Sequence, residues 1–442
     1  MMSGTDQENV GLPTPSEHWQ RNYAPMWVGQ AVSMLGSGLV QFALVWYLTE
    51  QTGSATILAM ATFVALIPRV ILGPFAGALV DRLNRKMIMI VSDLAVALAT
   101  VGLVILFALG ITQTWHIYLA MFIRSLCGAF QYPAMEASTT LMVPADKYAK
   151  LGGINQALNG SINIVSPPLG ALFISIMPMQ SVLAIDLITA ALAIALLVFF
   201  VKVPQPVLSD GNVSVTPKRV WLDVHEGLKY AVSWPGMIKL LLTATLLNML
   251  FSPAFSLMPL LVTQHFGKGA GDLAWLESAL GIGIVVGGLI LGTWGGFKRK
   301  VATTLMGLIG MGVGTIVIGI VPASGYGVSI GMMGLIGMMN ALANGPLGAL
   351  LQTKIPPEKQ GRIFTVVESL TSAASPLGML LAAPVAERLG IQAWYLVAGV
   401  ICLVMGVAGF FMKDVYTLDD QAPGGALLPK EELEEAASIR AE

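Results

Sequence analysis

Charge is scarce in these 442 residues: Asp, Glu, Lys and Arg together make up 11%, against roughly a quarter in soluble chains. With 55% apolar residues and a mean hydropathy of +0.75, a soluble globular protein is excluded. The formal net charge of −1 leaves no basic excess to hold nucleic acid. Cysteine is nearly missing. Cys127 and Cys402 each lie in an apolar run and build neither a disulfide framework nor a thiolate metal site. His18, His116, His225 and His265 lack ligand spacing, so neither a metal nor any other cofactor is expected. No Gly-x-x-x-x-Gly-Lys-Ser/Thr loop occurs: around Gly267, Lys268 and Gly269 both the spacing and the hydroxyl are wrong, which excludes a nucleotide-driven pump. Short alternating segments are missing as well, which excludes a transmembrane β-barrel.

What is there is a series of continuous apolar runs of about twenty residues, the length that crosses a bilayer as a helix. Twelve are expected, giving an all-α membrane protein. The first follows a polar stretch with no small-residue cleavage site, so it reads as an anchor and not a removable signal. Residues 1–24 form a tail, 25–202 a first six-helix half, 203–237 a linker, 238–412 a second half and 413–442 a mobile tail. In the linker Trp221, Val224, Leu228 and Val232 recur at helical spacing among charges, the pattern of an amphipathic helix lying on a membrane surface. Nearly all of the 24 lysines and arginines fall in segments on one side, leaving Lys268 and Arg388 on the other and Arg69 and Arg124 within spans. By the positive-inside rule both termini are cytoplasmic.

The halves repeat one another. Val143, Pro144 and Lys147 are answered by Ile355, Pro356 and Lys359; Ser166, Pro167, Leu169 and Gly170 by Ser375, Pro376, Leu377 and Gly378; Pro133 by Pro346. Two parallel six-helix halves related by an axis along the membrane normal fit such a repeat.

After the second run stand Gly77, Asp81, Arg82, Asn84, Arg85 and Lys86. This resembles the signature loop of the major facilitator superfamily, Gly-x-x-x-Asp-Arg-x-Gly-Arg-Lys. Asn84 replaces the usual glycine, and asparagine tolerates the left-handed backbone of a tight turn. Arg124 and Gly128 resemble the family's Arg-x-x-x-Gly motif, associated with proton transfer in proton-coupled exporters. Gly29, Gln30, Ser33, Gly36 and Ser37, the run Leu48 to Ala55, and Pro356 to Arg362 resemble the drug:proton antiporter branch that contains macrolide efflux proteins and the enterobactin exporter. In the second half the loop is eroded: Gly292 to Lys300 holds no aspartate.

The resemblance implies that Asp81, with Gly77, Arg82, Arg85 and Lys86, forms a latch between halves; a topogenic charge cluster is the alternative. A monomer in the bacterial inner membrane is expected, with protons and a small molecule as ligands; polar stripes of amides and hydroxyls with few charges suit an amphiphilic cargo. Gln30, Ser33, Ser37 and Gln41 on the first run, Asn155, Asn159 and Asn163 on the fifth, and Thr245, Asn248 and Ser252 on the seventh each share a helical face. Such stripes either line a substrate cavity or bond neighbouring helices. Ionisable residues inside spans are functional candidates by default. Here they are Arg69, Asp93, Arg124, Glu136, Asp186, Glu277 and Glu368. Of these, Arg124, Asp93, Asp186, Glu277 and Glu368 are the candidates for proton coupling. The expected function is secondary active export of drug, macrolide or siderophore-type amphiphiles. An importer or uniporter of the same fold is the alternative, and a receptor or a membrane enzyme the remote one.

Overall fold

The computed structural model describes residues 19–80, 83–144, 147–203, 234–355 and 357–420. Among them there is no strand. Twelve long helices follow in order: α1 (Trp19–Thr52), α2 (Ala55–Val80), α3 (Arg85–Ala108), α4 (Thr114–Met142), α5 (Tyr148–Ile176), α6 (Met179–Phe200), α7 (Pro235–Ser256), α8 (Ala270–Trp294), α9 (Lys300–Ile320), α10 (Tyr326–Lys354), α11 (Pro357–Leu389) and α12 (Ile391–Phe411). Ten are long and apolar enough to cross a membrane. α4 is outside that set because it carries Arg124, Gln131 and Glu136. Apolar side chains point outward along the bundle, with Phe199 78% and Leu289 65% exposed. Such a belt is stable against lipid tails and not against water.

Helices α1–α6 form one half and α7–α12 the other. Within each, helices pack through small residues, since van der Waals fit and not hydrophobic burial drives association in lipid. In the first half Gly29 of α1 lies against Ala193 of α6. In the second, a Cβ on Gly312 of α9 would stand 2.6 Å from the backbone nitrogen of Leu403 and 2.9 Å from the carbonyl of Gly399, both on α12.

One face of the bundle carries the start of α1 and the end of α12; the opposite, far face carries the α1–α2 turn. At the termini face, α3 starts on an extended Asn84 (φ −66°) whose side chain accepts from the Met87 amide at 3.1 Å. Asn84 is thus a helix N-cap, and the left-handed tolerance expected of it is not used. Its role is the side-chain oxygen, which glycine lacks.

The tail expected to be mobile from Lys413 is packed over its first part, because Val415 and Leu418 are apolar and buried against the second half. The carboxylate of Asp419 accepts from the backbone amides of Lys300 (3.3 Å) and Val301 (3.1 Å), the first turn of α9. Arg299 pairs with Asp420 at 3.0 Å and lies over the Tyr416 ring, and Lys239 pairs with Asp414. A carboxylate missing from the eroded loop Gly292–Lys300 is therefore supplied by the segment that follows α12. The amphipathic helix expected in the linker, together with Asp81 and Arg82, lies outside the described residues.

Candidate functional site

Two consecutive prolines in α5 set the contact between the halves. Pro168 has no N–H, so the carbonyl of Ile164 loses its helical donor. Ser278 of α8 supplies one: its Oγ donates to that carbonyl at 3.0 Å. One turn further on, Gly281 leaves room for the Ile164 side chain, where a Cβ would come within 2.6 Å. The backbone group freed by the kink is met from the other half, as buried polar groups in lipid must be.

Toward the far face the halves close on each other. Gln264 Nε2 donates to the Gly53 carbonyl at 2.6 Å. The carboxylate of Glu387, in the last turn of α11, accepts from Thr56 Oγ1 (2.7 Å), the Thr56 amide (3.1 Å) and Ser54 Oγ (3.3 Å). It sits at the positive end of α2 and caps a helix of the opposite half. Beneath this, Ala59 of α2 is buried with Met379 and Ala383 of α11.

Between the halves is a cavity of about 730 Å³, within the range that encloses drug-sized ligands. Its first-half wall runs from Val45 and Thr62 near the far face to Gln30, Asp93 and Met135 nearer the termini. Among the described residues the second half lines it only through Phe255, Ser256, Pro259, Leu273 and Glu277, all toward the far face. On the side toward the termini, the described residues that line it all belong to the first half.

Two polar tiers cross the first half. In the tier nearer the far face, Arg124 Nη1 donates to Asp186 Oδ2 at 2.5 Å, Thr100 Oγ1 to the same oxygen at 3.1 Å, and Ser37 Oγ to Oδ1 at 3.0 Å. Asp186 is 1% exposed. In the other tier, Asp93, 4% exposed, accepts from Gln30 Nε2 at 3.0 Å and Gln131 Nε2 at 2.6 Å. Gln131 also donates to Gln30 Oε1 at 2.8 Å. Each of three helices serves both tiers with residues seven apart: Gln30 and Ser37 on α1, Asp93 and Thr100 on α3, Arg124 and Gln131 on α4. Seven residues are two turns, so the tiers stand about 10.5 Å apart.

Of the residues singled out from the sequence, Gln30, Ser33, Ser37, Gln41, Asn163, Arg69, Asp93, Arg124, Asp186 and Glu277 line the cavity. Asn155 accepts from Trp27 Nε1 at 2.7 Å and is absent from that wall, as are Asn159, Asn248 and Ser252. Asn248 is exposed and bonds back to its own helix at Ala244. Glu136 accepts from Tyr132 near the termini face. Arg85 donates to the Ala137 carbonyl of α4, and Lys86 to the Val198 and Val201 carbonyls at the end of α6. These contacts stay within the first half. The side chains of 356–370, Glu368 included, lie outside the described set, and Gly77 falls within α2. Gln131 and Thr100 were not singled out from the sequence, although each follows a charged residue by seven on the same helix face.

A family model described as Major Facilitator Superfamily matches residues 26–375 and 240–439. Macrolide efflux protein A of Streptococcus pyogenes is 33% identical over 402 residues, covering 91% of this chain and 98% of its own. Multidrug efflux pump Tap of Mycolicibacterium fortuitum is 26% identical over 391 residues, covering 87% and 94%. Among solved structures, the nucleoside transporter NupG superposes with a TM-score of 0.67 at 12% identity, over 87% of this chain and 98% of that one. A bacterial homologue of the iron transporter ferroportin in an inward-facing state superposes with a TM-score of 0.65 at 13% identity, over 88% and 98%. Motifs, paired six-helix halves and a cavity between them agree with these matches: the chain belongs to the major facilitator superfamily.

Proposed function

We propose that this protein exports amphiphilic small molecules, macrolides among them, by alternating access between its halves, driven by proton entry. The observation that carries the reading is the cavity: drug-sized, lined by apolar side chains together with amides, hydroxyls and five ionisable residues, and bounded at the far face by contacts between the halves. The relatives named for macrolide and multidrug efflux support the cargo class. Lysine and arginine placement supports cytoplasmic termini in a bacterial inner membrane, so the cavity in this state loads from the cytoplasm. The protein acts as a monomer and catalyses no covalent step.

Asp186 and Asp93 are the proton-carrying carboxylates of this reading, with Arg124 biasing the first. A potential of 100 mV does about 2.3 kcal/mol of work per charge. At about 1.4 kcal/mol per tenfold, one proton sustains roughly a fiftyfold gradient of neutral cargo. Asp81 with Arg82, Arg85 and Lys86 is the latch of the opposite state, in which the termini face closes.

The test is accumulation of a macrolide, a lincosamide, a tetracycline and a cationic dye in a pump-deficient bacterium, with and without a protonophore. Expression is expected to lower macrolide accumulation, and the protonophore to restore it. Accumulation equal to the empty vector for every compound overturns the reading. Export that survives the protonophore overturns its proton half.

A further inference from the structure

The ionisable side chains lining the cavity are Arg69, Asp93, Arg124, Asp186 and Glu277. Four of them have an evident use or partner. Arg124 and Asp186 neutralise one another. Asp93 is held by two amides. Arg69 is exposed on the cavity wall, so its charge is not held desolvated. Glu277 is different. It is half-buried, and it makes no hydrogen bond or ion pair with any described residue. Among the described residues it is the one charge the second half places in the cavity, and its wall there is Phe255, Pro259, Leu273 and the hydroxyl of Ser256.

Its position is fixed. The next residue, Ser278, is bonded to the Ile164 carbonyl, which pins α8 against α5 at this level. One residue along a helix is a rotation of about 100°, which turns Glu277 from that contact toward the cavity. A carboxylate held against an apolar wall with no partner is an expensive arrangement, tolerated where a partner arrives from outside. Phe42 and Phe255 line the same end of the cavity, and aromatic faces attract cations as a carboxylate does.

We infer that Glu277 is the cargo-selecting residue of the cavity, pairing with a protonated amine, so that the preferred cargo is an amphiphile with one cationic nitrogen. This rests on the efflux reading above and deepens it. An anionic amphiphile of the same size is rejected, because its charge meets an unpaired carboxylate.

The test uses the full-length protein in inverted membrane vesicles with two probes. One is a macrolide bearing a dimethylamino sugar. The other is the same macrolide with one N-methyl group removed and that nitrogen acylated, a neutral amide that carries no charge. Glu277→Gln is expected to lower accumulation of the amine form about tenfold or more, the worth of a hydrogen bond to a charged group, while leaving the acylated form as in the parent. Glu277→Asp, which keeps the charge, is expected to recover part of the amine transport, and binding of the amine form to purified protein is expected to follow the same order. Amine transport by Glu277→Gln equal to the parent overturns the inference. Equal loss of both forms overturns it too, since the residue then serves the transport cycle and not the cargo's charge. Parent vesicles that accumulate neither form overturn the efflux reading itself.

Discussion

Arg124 of α4 and Asp186 of α6 meet at 2.5 Å beside Thr100 and Ser37, joining four helices of the first half through one carboxylate. A pair this deep makes its two members interdependent, because removing either leaves the other desolvated and unmatched. Loss of one partner of a buried pair costs about 3–5 kcal/mol. Arg124→Ala and Asp186→Ala are each expected to lower the thermal stability of purified protein by that order. The double variant is expected to lose clearly less than the sum. Strict additivity would show that the two residues are not energetically coupled. Arg124→Lys is expected to fall short of the parent, since a point charge does not reproduce a planar fork reaching Asp186, Thr100 and the Ser37 carbonyl.

Asp93 accepts from two amides and makes no ion pair with any described residue, so its neutral form fits the same site. An asparagine side chain mimics that form, as the facing glutamines can turn their amides to match. Asp93→Asn is therefore expected to fold and bind cargo as the parent does, while accumulation in vesicles no longer responds to a pH gradient. A parental response would remove Asp93 from the proton path.

The far-face seal depends on Glu387, one carboxylate serving three donors at the start of α2. In a background with Cys127 and Cys402 replaced, a cysteine introduced at the cavity residue Thr62 reports access from that face. Glu387→Ala is expected to speed its modification by a membrane-impermeant thiol reagent several-fold, and Glu387→Gln by less. An unchanged rate in both would mean that the apolar contact of Ala59 with Met379 and Ala383 holds the seal alone.

Glycines in this fold divide by what surrounds them. Gly312 is expected not to accept alanine, since its Cβ would meet backbone atoms of α12 that cannot yield; overpacking of this kind costs about 1–3 kcal/mol. Gly331 of α10 has nothing within 4 Å. Gly331→Ala is expected to be neutral or to stabilise by up to about 1 kcal/mol through helix propensity. Thermal unfolding of the two variants side by side checks the contrast.

The twelve helices and their two halves were legible because each apolar run is long and continuous, and because the Pro and Gly anchors recur in order. The polar stripe of α1 was legible for the same periodic reason, and Gln30, Ser33, Ser37 and Gln41 all reach the cavity wall. The stripe of α5 was only partly so: Asn163 faces the cavity, whereas Asn155 is taken by Trp27 of α1, a partner that no spacing within α5 reveals. The two tiers were hidden for a related reason. Asp93 and Arg124 each stood out as charges, but their partners Gln131 and Asp186 come from other helices, and only the packing of α3, α4 and α6 decides who meets whom. Nor does sequence spacing connect Asp419 with Lys300, because the contact spans 119 residues.

That last contact sets an order on biosynthesis. The ribosome delivers the first turn of α9 long before Asp419, the residue that closes its free amides. At about 5–20 residues per second the interval is roughly 6–24 s, during which the second half sits in the membrane with one helix start unfinished. Completion of the second half therefore waits for translation beyond its last span. A nascent protein stalled short of Asp419 keeps the Lys300 and Val301 amides without this acceptor, even with every span already inserted.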